Sequence, residues 1–439
     1  MSLTELRGGV VLTMEDRVAR SVSLFVEGAR IVAIGAAPAG VVNEVVDVSG
    51  CVVMPGFVQA HTHVCQTLCR GAADDLPLLD WLRERVWPYE AALDERAMRA
   101  CVRLAAAELL LGGTTAILDM GTVHETDALT DELLRAGLRA VVGKALMDAG
   151  EGVPPRLRET TRHALDDADA LAARWTGAGD GRIGWAYAPR FVLSCTEELL
   201  RAVVERQRRG ARVHTHASEQ RAEIALVRAR LGDDNVAWLD GIGMAGDQVV
   251  LAHCVHVTER EIGMLAARGT HVAHCPSSNL KLASGIAPVP ALLAAGVRVA
   301  LGADGAPCNN NLDAFHELRL AALLHKPASG ATAIGAWAAL ELATKNGAAA
   351  LGLASRIGTL EVGKQADIVV VDVDRPHIAP TVEPASAIVY AARASDVRDV
   401  MVDGRWLVRG GRLTDLSGLD AREVTARARE EARRLAVRG

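Results

Sequence analysis

The stretch CVVMPGFVQAHTH, residues 51–63, decides the fold. It is a run of apolar residues without the polar alternation of a half-exposed strand, and it ends on two histidines. A continuous run of this kind suits a parallel strand covered on both faces. Residues two apart on an extended chain project to the same side, so His61 and His63 face one place together. Seven further runs share the character: TTAILDMG (114–121), RAVVGKALM (139–147), RIGWAYAPR (182–190), ARVHTHASE (211–219), QVVLAHCVH (248–256), THVAHCP (270–276) and VRVALGADG (297–305). Each is followed by enough residues for a helix. Eight such units predict an α/β protein built as a (β/α)8 TIM-type barrel.

The two ends read differently. Short strands separated by turns fill the first 50 residues: VVLTM (10–14), SVSLFVEG (21–28), RIVAIG (30–35) and VVDVSG (45–50). The pattern returns in ADIVVVD (366–372), AIVYAA (387–392), DVMVDG (399–404) and RWLVRGG (405–411). One small β-sandwich domain assembled from both chain ends is expected, from residues 1–55 and 359–418, around a barrel over 56–358. A charged C-terminal helix is expected within 419–439.

Half of the 439 residues are apolar and 23% are charged, a balance that buries a core. The net charge of −6 argues against nucleic acid or an anionic membrane as the partner. The opening MSLTELRGGVVLTMED reaches acidic residues too early for a secretory signal, and no apolar run is long enough to span a bilayer. Eight scattered cysteines without a Cys-x-x-Cys pair read as free thiols of a reducing compartment. The expectation is a cytoplasmic protein that takes a small-molecule substrate. Helical surfaces rich in Ala and Leu allow a homo-oligomer, although no pattern marks an interface.

In a barrel of this type, chemistry gathers at the carboxyl ends of the strands. Those ends carry His61 and His63, then His214, His216 and Glu219, then His253, His274 and Asp304. Imidazoles and carboxylates converging from five strand ends on one mouth predict a metal site. Three imidazoles and one carboxylate suit one divalent ion, zinc foremost with iron as the alternative, and water completes the open position. Binuclear barrels commonly bridge their metals with a modified Lys near the end of strand four. Strand four here has none, so one metal is expected.

The segments PGFVQAHTH (55–63), HASE (216–219), AHC (252–254), HCPSSNLKLASG (274–285) and LGADGAPCNN (301–310) stand in the order that marks the amidohydrolase superfamily. Within it the chain resembles the cyclic-amidine deaminases of aminopurines. The resemblance implies that His61, His63, His216 and Asp304 ligate the metal, that Glu219 and His253 are catalytic, and that His274 is structural. His214 is read as lying deeper in the barrel. Asp304 is expected to take the proton of the attacking water and His253 to orient its oxygen. Glu219 is expected to protonate the ring nitrogen that gains charge during attack. NLKLASGIAPVP (279–290) and Glu90 in VWPYEAAL (86–93) resemble the adenosine-type deaminases, in which such a Glu binds ribose hydroxyls. DLPLLDWL (75–82) and APRFVLSCTEELL (188–200) resemble guanine deaminase, which implies Arg190 and Phe191 at the purine and Gln66 at the base edge. Methylthioadenosine-type enzymes usually carry His where Arg190 stands. Trp87 is read as a pocket wall, and Asn279 as a residue that fixes a turn. The combined pattern implies deamination of 5′-deoxyadenosine, methylthioadenosine or S-adenosylhomocysteine, with guanine or another free aminopurine as the alternative.

Overall fold

Gly56 is where the opening stretch changes sheets. In the structure, a computed structural model that describes residues 2–436, Cys51–Pro55 belongs to an outer sheet and Phe57–His63 to the barrel. The run expected as one strand is thus two. Only glycine fits between them, because a Cβ on Gly56 would lie 2.1 Å from the Thr115 side chain.

The barrel strands are Phe57–His63, Thr114–Thr122, Arg139–Leu146, Ile183–Pro189, Arg212–Ala217, Val249–His253 and His271–His274, paired in sequence order and all parallel. The eighth strand is broken. Arg298–Leu301 pairs with His271–His274, and Asp304–Gly305 pairs with Thr62 and His63 to close the ring. Gly302 makes the break, since a Cβ there would sit 2.8–2.9 Å from the backbone and Cβ of His61. That close approach carries Asp304 to the histidines of strand one.

The helices around the barrel are cut by local signals. Glu95–Leu111 begins at Asp94, whose side chain accepts from Ala97 N, and stops at Gly112. A cap of this type contributes about 1 kcal/mol. Its buried face, with Met98, Cys101, Val102, Ala105 and Leu109, follows helical spacing. The helix Ala421–Ala436 packs on it and buries Val424, Ala428 and Leu435 at the same spacing.

Two sheets built from both ends of the chain make the auxiliary β structure. One runs Arg30–Ile34, Leu24–Glu27, Leu3–Arg7, Glu44–Asp47; the other runs from Arg412–Leu413 through Ile368–Asp372 and Cys51–Pro55 to Ala19–Arg20. Along Ile368–Asp372 the side chains alternate as a pleat requires. Ile368 and Val370 join Leu6, Leu24 and Ile31 between the sheets, while Val369 and Val371 face the barrel helices. AIVYAA, expected as a strand, instead ends the helix Pro384–Tyr390. Pro384 stands in its first turn and the Glu383 side chain accepts from Ala385 N, so a start signal overrides the β-branched pair.

Candidate metal centre

Strands one, five and eight bring His61, His63, His216 and Asp304 together, with one ligand atom of each lying within 4.8 Å of all the others. Asp304 Oδ1 is 3.2 Å from His61 Nε2 and 3.4 Å from His63 Nε2, and His63 Nε2 is 3.2 Å from His216 Nε2. A tetrahedral zinc ion with bonds near 2.0–2.1 Å sets its ligand atoms about 3.3 Å apart. The donor set therefore fits zinc. His61 Nε2 is also buried without a hydrogen-bond partner, which suits a metal-ligand atom.

Three of the four ligands, His216, His61 and Asp304, are aimed from behind. His216 Nδ1 donates to the carbonyl of Arg190 at 2.6 Å, which leaves Nε2 with its lone pair toward the centre. His61 Nδ1 lies 2.7 Å from His214 Nε2, so His214 stands behind the ligand at the depth expected of it. Ser278 Oγ donates to Asp304 Oδ2 at 2.7 Å. Burial holds the imidazoles of His61, His63 and His216 below their usual pKa, which favours the form that can ligate. Burial pushes the Asp304 carboxyl up, but His61, His253 and His63 outweigh it and keep it well below the usual range. Strand four carries no Lys. The buried Lys144 of strand three is engaged elsewhere, by Val123 O at 2.9 Å and Glu159 Oε2 at 2.6 Å. The four ligands hold one divalent ion.

His253 and Glu219 flank the centre. His253 Nε2 is 3.5 Å from Glu219 Oε2 and 3.8 Å from Asp304 Oδ2, while its Nδ1 meets Asn279 Oδ1 at 2.9 Å. Asn279 does shape its turn, accepting from Ser284 N at 2.8 Å, but its side chain also sets the His253 ring. Burial, Asp304 and Glu223 push the Glu219 carboxyl well above its usual pKa, against the pull of Arg190. Ser218, His253 and Asp304 have φ of 53°, 73° and 63°, and such strain costs of order 1–3 kcal/mol per residue. Backbone bonds from Val255 and His256 to Ser218 O help to enforce it.

Arg190, Phe191, His63, His216, Glu219, His253 and Asp304 line the cavity at this mouth. Leu78, Trp81, Leu82 and Leu282 complete its apolar wall. Trp87 and Trp81 share one cluster with Phe191, but Trp81 forms the wall and Trp87 packs behind it. Gln66 and Glu90 also lie behind the wall: Glu90 pairs with the guanidinium of Arg190, and Gln66 Nε2 donates to Glu90 Oε1 at 2.8 Å. His274 is buried near His325, their ring centroids 5.8 Å apart, and neither of its nitrogens has a hydrogen-bond partner. Ser278 and the apolar wall were not read from sequence. HCPSSN directly after strand seven held a signal for Ser278, but none marked which leucines turn inward. The cavity measures about 30 Å³, smaller than the roughly 300–1,000 Å³ of ordinary ligand pockets.

The arrangement has close relatives. A 5-methylthioadenosine/S-adenosylhomocysteine deaminase of Moorella thermoacetica is 43% identical over 395 residues, 89% of each chain. A 5′-deoxyadenosine deaminase of Methanosarcina acetivorans is 39% identical, with 99% of this chain and 98% of that one covered. The crystal structure of an adenosine deaminase from Xanthomonas campestris, with zinc bound, superposes with a TM-score of 0.92 at 35% identity, covering 99% of this chain and 98% of its own. The amidohydrolase family profile matches residues 52–407, from the outer strand through the whole metal-bearing barrel, and the chain belongs to that family.

Proposed function

We propose that the chain is a metal-dependent hydrolytic deaminase that removes the amino group of an adenine-type nucleoside, of the 5′-deoxyadenosine, methylthioadenosine or S-adenosylhomocysteine class. The observation that carries this reading is the buried carboxyl of Glu219, its pKa pushed well above the usual by burial, facing the same cavity as the metal ligands and His253. Zinc held there supplies Lewis acidity that makes water a nucleophile near neutral pH. Asp304 uses Oδ1 toward the ligand cluster and leaves Oδ2, steadied by Ser278, to take a proton from the attacking water. His253 Nε2 orients the attacking oxygen. Glu219 donates its proton to the ring nitrogen as attack at the adjacent carbon charges it, and ammonia leaves once the amino group gains a proton. Phe191, Trp81 and Leu82 cover the ring and exclude water. The names of the similar proteins support the substrate class. Arg190, which lines the same cavity, favours a second reading in which an oxygen-bearing free base such as guanine is bound.

The eight buried, unpaired thiols support a reducing, cytoplasmic setting. Among the described residues no helix is long and apolar enough to cross a membrane.

Ammonia release measured with 5′-deoxyadenosine, methylthioadenosine, S-adenosylhomocysteine, adenosine and guanine tests the proposal. Turnover of the adenine nucleosides, with one zinc or iron per chain and loss of activity on chelation, is expected. Turnover of guanine alone decides for the second reading, and two metals per chain end the mononuclear one.

A further inference from the structure

Strand one reaches the metal with the help of an extra residue. Gln59 stands opposite Ile117 of strand two and Thr62 opposite Asp119, so three steps of strand one span two of its neighbour. An excess of this kind is a β-bulge, and a bulge re-aims the side chains beyond it. Val58 and Ala60 pack inside the barrel with Leu118, Ala186 and Val250. Strict alternation would turn His61 and His63 to the other face, with Phe57 and Gln59. Instead His61 meets His214 and His63 stacks on His216, both from strand five, at ring-centroid distances of 4.8 and 5.3 Å. The shift of phase delivers two of the four ligands. On one edge the shifted end pairs with the two-residue strand Asp304–Gly305. On the other, Asp119 grips it. This fully buried carboxyl group accepts at Oδ2 from Thr62 Oγ1 and from Val64 N, both at 2.8 Å, and at Oδ1 from Gly121 N at 2.9 Å. Thr62 precedes His63 and Val64 follows it, so one oxygen holds the chain on both sides of a ligand.

We propose that Asp119 is a positioning residue of the metal centre: it locks strand one in the phase set by the bulge and so keeps His61 and His63 turned to the ion. The role concerns the metal ligands and is independent of the substrate. Zinc affinity, measured by chelator competition on the zinc-depleted enzyme, tests it, with circular dichroism and urea unfolding of the same zinc-free protein alongside. Asp119→Ala is expected to raise the zinc Kd about 10- to 100-fold, as loss of a group that orients a ligand does. Asp119→Asn can keep one oxygen toward Thr62 and Val64, and it is expected to recover part of that loss. Thr62→Val keeps the shape of its side chain and deletes the hydroxyl. It is expected to raise the zinc Kd in the otherwise wild-type enzyme, but by less than about twofold beside Asp119→Ala. A residue that served stability alone would weaken the zinc-free fold and leave the zinc Kd of the folded chain unchanged, and that result overturns the proposal. Equal losses from Thr62→Val with and without Asp119 also overturn it. Should Asp119→Ala fail to fold, Thr62→Val decides: a zinc Kd more than about twofold above wild type supports the clamp, and anything less overturns it.

Discussion

Glu219 owes its chemistry to where its charge would have to go. Its carboxyl is buried, faces Asp304, and has Glu223 behind it, so the ionised form is penalised three times over while Arg190 offers partial relief. In the proposed mechanism the group therefore enters the reaction with its proton, as a general acid must. The sign follows: activity depending on this proton is full at lower pH and declines as pH rises through the raised pKa. Glu219→Gln is expected to lower kcat by about 10²–10⁴-fold and to remove that alkaline decline, while metal content by elemental analysis stays near one per chain. Unchanged turnover takes Glu219 out of the mechanism. Its place was legible, because three residues past a strand-end ligand is a spacing a sequence displays. The ion-pair partner of Glu90 was not, since nothing near VWPYEAAL says that Arg190, 100 positions on, pairs with it.

Short elements after the last two strands do the orienting. The helix Pro276–Lys281 carries Ser278 to Asp304 and Asn279 to His253, and it is tied in turn by Glu317 on the helix Ala314–Leu324. Glu317 accepts from Ser277 N at 3.1 Å, from Ser277 Oγ, and from Asn309 Nδ2 at 2.9 Å, which joins the turns after strands seven and eight. Burial raises the Glu317 carboxyl from 4.5 to about 7 despite those bonds. The folded state then binds more protons than the unfolded one between these values, so stability falls as pH rises from about 4.5 to 7. The full shift corresponds to about 3 kcal/mol. Glu317→Gln keeps the shape and cannot ionise. Urea unfolding across this range is expected to show a flatter pH profile for the variant, with the gain largest above pH 7; parallel profiles refute the assignment. The strands themselves were easy to read, because burial on both faces leaves unbroken apolar runs. The helix Pro384–Tyr390 was misread because Ile388 and Val389 pull toward strand, and packing together with the Pro384 start settles the matter.

At the scale of the molecule, the barrel and the outer sheets are locked by an ion pair across the seam that Gly56 crosses. Arg139, the first residue of barrel strand three and fully buried, donates to Asp367 Oδ2 at 2.8 Å and to Oδ1 at 3.0 Å, and reaches Asp403 at 3.3 Å. Asp367 in turn accepts from Asp403 N at 2.8 Å, and its carbonyl accepts from Gly56 N at 3.0 Å. The partners are 228 positions apart, which is why two β-rich chain ends could be seen in the sequence but not what fastens them. A buried pair gains little over apolar residues of the same volume, whereas breaking one side of it strands a charge. Asp367→Asn leaves the Arg139 guanidinium facing a neutral amide, with Asp403 at 3.3 Å as its remaining charged partner. The expected loss is about 3–5 kcal/mol in urea unfolding, with activity at low temperature preserved because the metal centre lies at the opposite end of the strands. Arg139→Met combined with Asp367→Leu and Asp403→Asn removes all three charges and is expected to return stability to within about 1 kcal/mol of wild type or above it. If Asp367→Asn costs less than about 1 kcal/mol, the seam is held by apolar packing of Val52, Met54, Val369 and Val371 alone.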